Sequence, residues 1–152
     1  MNRAANALDP TDRAIVEHLQ RDGRMPYTRL GAAVGLSEAA VRQRVQRLVD
    51  AGVMQVVAVT NPMSIGYRRM AMIGVRTEGP SDGVATALQA MSDIDYLVVT
   101  AGSFDLMCEV VVGNDADLLD LTNRIRRVPG VVSTESFIYL DLVKQTFTWG
   151  AH

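Results

Sequence analysis

The chain has 152 residues, which is enough for one ordinary domain or for two small ones. Apolar residues make up 48% and charged residues 21%, close to the averages of folded globular proteins, so disorder is excluded as the dominant state. Apolar runs such as 96–99 are far shorter than a membrane span of about 20 residues, and we expect no membrane association. No secretory signal is readable before Pro10, and the single cysteine, Cys108, excludes an intrachain disulfide framework. We therefore expect a cytoplasmic protein.

The net charge of −2 hides a difference between the two parts of the chain. Residues 1–61 carry eight arginines against six acids, whereas residues 62–152 carry seven basic residues against eleven acids. Arg42, Arg44 and Arg47 fall within one stretch of six residues. This asymmetry predicts different roles for the two parts.

Three short helices are predicted in the basic part, each with apolar residues at helical spacing. Asp and Ser mark helix starts because their side chains accept hydrogen bonds from free backbone N–H groups, and Pro fits the first turn. Glycine marks the ends. The start and stop signals are Asp9-Pro10 and Asp22-Gly23, Pro26 and Gly35, and Ser37 and Ala51-Gly52. Because only a short glycine-containing turn separates the second and third helices, the pair is typical of a helix-turn-helix motif.

The remaining sequence predicts a second domain after a linker. Residues 53–59 are rich in β-branched side chains and predict a linker strand, and Asn61-Pro62 marks a connection. The order beyond it is strand, helix, strand, strand, helix, strand, as in a ferredoxin-like βαββαβ domain. The four strands are expected at 70–75, 94–100, 104–112 and 131–142. The prediction is an α+β protein with a helix-turn-helix domain at 1–52, a linker at 53–67 and a βαββαβ domain at 68–152.

The predicted strands are nearly continuous in apolar residues, which is typical of a sheet that is buried on both faces. The two helices of this domain cover only one of those faces. A single chain has nothing left to cover the other face, so we expect a sheet from a second copy to pack there. The sequence therefore predicts at least a homodimer.

The third helix is the candidate DNA-contacting element, because the second helix of a helix-turn-helix enters the major groove. Arg pairs bidentately with guanine and Gln with adenine, while Ser and the free N–H groups of a helix start bind phosphate. The candidate contacts to double-stranded DNA are Ser37, Glu38, Ala39, Arg42, Gln43, Gln46 and Arg47. Arg47 is placed for the phosphate backbone, and Arg44, beside the apolar seam, is expected first to form a salt bridge. The alternative is that these residues are only a solvated helix face.

No catalytic constellation is readable in the sequence. Cys108 lies in a predicted strand and is interpreted as a small buried apolar residue. Asp93 and Asp95 are interpreted as turn residues, and Ser103 has no histidine in sequence reach that could act as its base. We find no glycine-rich phosphate loop and no zinc-ligand spacing. We therefore predict neither an enzyme nor a bound metal or cofactor.

Short motifs occur in a characteristic order along residues 8–148: Leu8-Asp9-x-x-Asp12, Asp22-Gly23-Arg24, Gly35-Leu36-Ser37, Arg44-Val45-x-Arg47-Leu48, Gly52-Val53, Asn61-Pro62, Ile65-Gly66, Gly102-Ser103-Phe104-Asp105, Pro129-Gly130-Val131 and Thr134-x-Ser136. In their order and spacing they resemble the leucine-responsive/asparagine-regulator (Lrp/AsnC, feast/famine) family of transcription regulators. The resemblance implies a winged helix-turn-helix domain, a linker strand, and a βαββαβ domain for effector binding and assembly. It also implies dimers formed through back-to-back sheets, often assembled into octamers.

The resemblance further implies that a free amino acid binds near the turn at 102–105. A glycine in this turn would let backbone N–H groups approach the carboxylate, and the acid that follows would pair with the ammonium. Hydroxyls of the last strand would contribute if that strand lies beside the turn. The candidate effector residues are Gly102, Ser103, Phe104, Asp105, Thr134 and Ser136. The alternative is that Gly102 is only a hairpin glycine and Asp105 only a brace.

The predicted function is a sequence-specific DNA-binding transcription regulator modulated by a small molecule of the amino-acid class. Two alternatives stay open on the sequence alone. One is an architectural DNA-binding protein without a ligand, which would show no change in melting temperature or oligomer size with any amino acid. The other is a regulatory subunit of an enzyme, which would not be retained on heparin or operator DNA.

Overall fold

The computed structural model describes residues 8–147, which divide into two compact units. Among the described residues, one unit comprises 8–59 and 144–147, and the other comprises Thr60–Val143. None of the described helices is long and apolar enough to cross a membrane. Residues 1–7 of the predicted first domain and 148–152 of the predicted last one lie outside the described residues.

The first unit is built on three helices around an apolar core. Helix α1 spans Pro10–Arg21, α2 spans Tyr27–Val34 and α3 spans Glu38–Asp50. Each helix turns its apolar stripe inward, and removal of those side chains from water is the main force that holds the unit together. The buried core residues are Ile15, Val16, Leu19, Leu30, Val41, Val45 and Leu48. The predicted helix-turn-helix arrangement is confirmed.

The helix ends form where the capping signals in the sequence place them. The Asp9 side chain accepts a hydrogen bond from the Asp12 N–H, and the Ser37 side chain accepts one from the Ala40 N–H. Each bond satisfies a backbone donor that has no partner inside its own helix. Gly35 ends α2 in the left-handed conformation, at φ 73°.

The turn between α2 and α3 is tight because Gly31 has no side chain. A Cβ on Gly31 would stand 2.5 Å from the carbonyl oxygen of Leu36, closer than van der Waals contact allows. The Leu36 N–H donates to the Gly31 carbonyl oxygen at 2.9 Å, which holds the chain in this path. The need for a glycine at this position is not readable from the sequence, because it comes from a contact with the following turn.

The linker strand predicted at 53–59 is not formed within the described chain. A strand needs a neighbour to satisfy its N–H and C=O groups, and β-branched composition alone does not provide one. The segment is irregular, and Val56, Val57 and Val59 are 53%, 67% and 58% exposed. The prediction of a strand at 53–59 was therefore wrong for the described chain, because β-branched composition does not supply the pairing that defines a strand.

The second unit is a four-stranded antiparallel sheet with two helices, in the strand order β2-β3-β1-β4. A short 3-10 helix at Pro62–Ile65 precedes it. The strands are β1 (Arg69–Thr77), β2 (Ile94–Val99), β3 (Leu106–Val112) and β4 (Val131–Ile138), and the helices are α4 (Asp82–Gln89) and α5 (Asp115–Arg126). This order confirms the predicted βαββαβ domain.

One face of this sheet is covered within the chain and the other is open. The covered face contributes the core residues Ala71, Ile73, Val75, Leu106, Cys108, Val110 and Val112, which pack with the helix residues Val84, Leu88, Leu118, Leu121 and Ile125. Across the open face, Tyr96, Glu109, Met72 and Phe137 lie in one row on neighbouring strands. Tyr96 is 55% exposed and Phe137 is 42% exposed, so a single chain leaves this face unprotected, as expected.

Three strands are shorter than predicted, β2 by a single residue at its end. The last strand ends at Ile138 rather than at residue 142, because it lies at the edge of the sheet and only the Tyr139 N–H still reaches β1, at the carbonyl oxygen of Met70. Leu140 and Val143 beyond it are 97% and 89% exposed. The third strand begins at 106 rather than 104, because residues 104 and 105 belong to the turn before it.

Candidate functional site

The outer face of α3 carries the candidate DNA contacts. Val41, Val45 and Leu48 point into the core, so the helical period of about 3.6 residues places the polar residues between them on the solvent side. The candidate residues Ser37, Glu38, Ala39, Arg42, Gln43, Gln46 and Arg47 are all exposed. From Ala39 to Arg47 they line an open depression along the helix. The structure therefore brings all seven predicted DNA contacts onto one accessible surface.

Arg42 is held in place by two contacts. Its Nη2 donates to Glu38 Oε1 at 2.7 Å, an ion pair one helical turn apart. Its guanidinium also lies over the Tyr27 ring at the start of α2, with Cζ 5.3 Å from the ring centroid. The ion pair is exposed and contributes little to stability, but together with the ring it fixes the direction in which the guanidinium points.

Gln46 and Gln43 differ in how they are held. The Gln46 amide donates to Asp50 Oδ1 at 2.8 Å, one turn further along α3. That bond uses one of the two amide hydrogens, so the oxygen and the second hydrogen remain available to an adenine edge. Within residues 8–147, no side chain holds the Gln43 amide, and it projects freely from the same surface.

Arg44 and Arg47 join α3 to the start of α1. Arg44 Nη1 donates to Asp9 Oδ2 at 2.5 Å and to Asp12 Oδ1 at 2.8 Å, while Arg47 Nη2 donates to Asp12 Oδ2 at 2.7 Å. The Asp12 side chain is only 7% exposed, so its two arginine partners supply the hydrogen bonds that a buried carboxylate needs. Arg44 thus forms the expected salt bridge. The Arg47 side chain remains 60% exposed, so it is accessible from solvent while it is bonded to Asp12.

The hydrogen bonds between these residues shift the pKa values of Asp9 and Arg44. The pKa of the Asp9 carboxyl lies below its ordinary value, mainly because the Arg44 side chain donates a hydrogen bond to it and next because the Asp12 N–H does. The hydrogen bonds to Asp9 and Asp12 raise the pKa of Arg44. The Asp9–Arg44 pair therefore stays charged at neutral pH and links α3 to the start of α1.

The candidate effector turn is tied to β1 by Asp105. Asp105 Oδ2 accepts a hydrogen bond from the Thr77 N–H at 2.7 Å, and the Asp105 N–H donates to the Val75 carbonyl oxygen at 3.0 Å. Across the turn, Thr100 Oγ1 donates to the Phe104 carbonyl oxygen at 2.6 Å. One carboxylate oxygen of Asp105 braces the turn, which leaves the other for an ammonium group. Bracing and ligand binding by Asp105 are alternatives on the sequence alone, whereas this geometry allows both.

Gly102 does not use the conformational freedom expected of it. The described glycines with positive φ are Gly35, Gly52, Gly66, Gly79 and Gly130. A Cβ at Gly102 would meet no atom within 4 Å, so this part of the turn is open to solvent, as is Ser103 beside it. A ligand could approach this backbone because of the open space, not because of a left-handed glycine.

Phe104 lies on the open face of the sheet rather than at the tip of the turn. Its ring covers Gly74 of β1 and meets the Phe137 ring edge to face, with centroids 6.0 Å apart and planes at 79°. The Arg76 guanidinium lies 5.6 Å from the Phe104 centroid. Phe104 therefore anchors the turn through packing and presents no polar group to a ligand.

The two hydroxyl residues lie on β4, across β1 from the turn. Thr134 is opposite Val75, the residue whose carbonyl binds the Asp105 N–H, so Thr134 and Asp105 flank β1 about 10 Å apart, two strand spacings. Thr134 Oγ1 accepts a hydrogen bond from Arg126 Nε at 2.8 Å. Ser136, opposite Ile73, lies further from the turn. Arg126 is a cation that the sequence analysis missed, and its position in the last turn of α5, before Pro129-Gly130, was the available signal.

Two family models match the chain, one on each predicted domain. The AsnC-type helix-turn-helix domain matches residues 8–49, and the Lrp/AsnC ligand binding domain matches residues 70–149. A curated relative, the HTH-type transcriptional regulator FL11 of Pyrococcus furiosus, is 30% identical over 141 residues, which cover 91% of this chain and 93% of that protein.

Solved structures show the same fold. The leucine response regulatory protein LrpA of Mycobacterium tuberculosis has a TM-score of 0.83 and 33% identity, covering 91% of this chain and 96% of that one. A transcriptional regulator of Neisseria meningitidis, solved in complex with L-Met, has a TM-score of 0.80 and 24% identity, covering 93% of this chain and 95% of that one.

Proposed function

This chain belongs to the Lrp/AsnC family of transcriptional regulators, and from that premise we propose a sequence-specific DNA-binding regulator modulated by an amino-acid effector. The family is not one of enzymes, and the chain is a transcriptional regulator with a ligand-binding domain. Residues 1–52 would bind DNA, 53–67 would link, and 68–152 would bind the effector and mediate assembly. The proposal includes a cytoplasmic location, because a DNA-binding regulator must be in the same compartment as its DNA.

The observation that carries the proposal is the outer face of α3. Its apolar stripe is buried, and it presents Arg42, Gln43 and Gln46, whose side chains suit guanine and adenine edges. The test is selection of duplexes from a random-sequence library by the full-length chain, followed by gel-shift titration of the recovered duplex and a shuffled one. We expect clear enrichment of particular duplexes, and much tighter binding of the recovered duplex than of the shuffled one. Equal binding of both duplexes would overturn sequence-specific recognition and favour an architectural protein.

The proposal for an amino-acid effector is supported by the residues around β1. Asp105 offers a carboxylate oxygen to an ammonium group, and Arg126 and Thr134 offer a cation and a hydroxyl on the other side. The Neisseria regulator was solved with L-Met, and since it shares only the fold with this chain, it indicates which ligand to test first.

A thermal-shift screen of the standard amino acids, with the native mass recorded for each hit, tests the effector proposal. A ligand that binds only the folded chain raises the free energy of unfolding by about 2.7 kcal/mol at a hundredfold excess over its Kd. We expect at least one amino acid to raise the melting temperature or change the mass. A uniformly flat screen would overturn amino-acid control and leave a ligand-independent DNA-binding regulator.

We also propose a homodimer in which the open sheet face packs on that of a second copy, with further assembly to octamers as the resemblance implies. The support is the exposure of Tyr96 and Phe137 beside the partly buried Met72 and Met107 on that face. An apolar face of this kind is protected from water by a matching one. Sedimentation velocity of the full chain is expected to give a dimer or larger, and a monomer at micromolar concentration would overturn the paired-sheet proposal.

A further inference from the structure

Two of the side chains that would contact DNA are bonded to acids of their own helix. Arg42 is paired with Glu38, and Gln46 with Asp50. The bonds differ in kind, because the first joins two opposite charges at the start of α3 and the second joins a neutral amide to a carboxylate near its end. The first pair stands at the end of α3 that a helix-turn-helix places nearest to DNA, so its charges act most directly on the phosphates there.

Glu38 is at the first position of α3, immediately after the Ser37 cap. In a helix-turn-helix this end of the recognition helix comes nearest to the DNA. A carboxylate at this end is stabilised by the positive end of the helix dipole, but it is repelled by phosphates. The Glu38 side chain is 44% exposed, and among residues 8–147 its ion-pair partner is Arg42.

The Arg42 guanidinium has N–H donors that its contacts within the chain do not use. One Nη2 hydrogen binds Glu38, and the Tyr27 ring covers a face of the group without using any donor. A guanidinium has five N–H donors, so bidentate binding to a guanine edge is possible while the bond to Glu38 persists. Binding to a phosphate is different, since it would bring that phosphate close to the Glu38 carboxylate, a contact between like charges.

We propose that Glu38 is a specificity-determining residue that directs Arg42 to base edges and keeps it off the phosphate backbone. Non-specific binding consists almost entirely of phosphate contacts, so a device that penalises only those contacts raises the ratio of specific to non-specific affinity. This inference rests on the proposed DNA-binding function and assigns to Glu38 a role that acts through Arg42.

The test compares full-length wild type and Glu38→Gln on two duplexes, the one recovered by wild type from the random library and a shuffled version of equal length and composition. We expect Glu38→Gln to bind the shuffled duplex about three to ten times more tightly, the effect of one carboxylate near phosphates in a partly solvated site. Affinity for the recovered duplex should change less, so the ratio falls. The salt slope on the shuffled duplex should steepen by about one as Arg42 gains a phosphate contact.

Two further variants separate this role from a general effect of charge. Glu78→Gln makes the same change of net charge at an exposed site of the second unit, and it should leave the ratio unchanged. In an Arg42→Ala background, Glu38→Gln should no longer alter the ratio, because the arginine through which it acts is gone. Melting temperatures of all variants check that the fold is retained.

Each other outcome is decisive. Equal tightening on both duplexes, or an effect that persists without Arg42, would reduce Glu38 to a general repulsive charge and overturn the inference. A loss confined to the recovered duplex would instead make Glu38 a direct reader of a base. If wild type is clearly selective and Glu38→Gln has the same ratio of specific to non-specific affinity, this inference alone is overturned. If wild type prefers no duplex, the proposed function is overturned as well.

Discussion

The Phe104 ring lies so close to the backbone of Gly74 that a Cβ on Gly74 would stand 2.6 Å from the ring carbon Cγ. The glycine is required for space and not for backbone conformation, since Gly74 is not among the described glycines with positive φ. Because β1 is a central strand of the sheet, this contact fixes the turn that carries Asp105 to the middle of the second unit. The structure thus links a position in the central strand β1 to the candidate effector site.

We predict that Gly74→Ala lowers the free energy of unfolding of the second unit by about 1–3 kcal/mol, the usual effect of forcing a methyl group into filled space. Chemical denaturation followed by circular dichroism measures it. Gly83→Ala is the matched control, because a Cβ at Gly83 in α4 meets no atom within 4 Å and the substitution favours a helix. Equal stability of the two variants would mean that Phe104 moves aside at no cost.

Asp105→Ala is expected to have two separate effects. Without the Asp105 carboxylate, the Thr77 N–H loses its hydrogen-bond partner. The free energy of unfolding should therefore fall by about 1–3 kcal/mol even without ligand, and the melting temperature should fall with it. It should also lose most of the stabilisation produced by any amino acid found in the screen, because an ammonium group would lack its anion. Calorimetric titration separates the effects, and an unchanged ligand affinity would limit Asp105 to bracing.

Substitutions on α3 are expected to fall into two classes. Arg42→Ala and Gln43→Ala should weaken binding to the recovered duplex by about 1–3 kcal/mol for each lost base contact. Arg47→Ala should weaken all duplexes alike and reduce the salt slope by about one. Asp12 keeps its bond to Arg44 in that variant, so the fold should survive. Gel shifts over a range of salt concentrations check these expectations. If Arg42→Ala and Gln43→Ala both kept full affinity for the recovered duplex, α3 would not be the element that reads the bases.

Acid is expected to weaken the link between α1 and α3. Because the folded pKa of Asp9 lies below its ordinary value, its ion pair with Arg44 stabilises the fold above that ordinary value, and the stabilisation is lost as pH falls through the lowered pKa. Asp9→Asn keeps the helix cap but should make the melting temperature less dependent on pH below about 4. Thermal unfolding across acidic pH measures this, and high salt should shrink the difference because the pair is exposed. If wild type and Asp9→Asn show the same dependence of melting temperature on acidic pH, the Asp9–Arg44 pair adds nothing to the stability of the fold.

The sequence alone determined the elements whose causes are local. Asp9 and Ser37 cap their helices because each accepts a hydrogen bond from an N–H three residues along, and Gly35 ends α2 because a left-handed residue is needed there. The period of apolar residues fixed which side of α3 faces out, and hence where Arg42 and Gln43 point. The apolar pattern also predicted the order of strands and helices along the chain and an apolar sheet face that a single chain leaves open, whereas the spatial order β2-β3-β1-β4 came from the structure.

Only the tertiary structure decided the features that depend on distant residues. The Thr77 N–H binds Asp105, Asp12 collects two arginines from α3, and Arg126 reaches Thr134. The strand predicted at 53–59 does not form, because ladder hydrogen bonds require a neighbouring strand that local composition does not supply. Propensity and capping act over one turn of chain, whereas pairing, packing against a glycine and ion pairing between helices act between segments that meet only on folding.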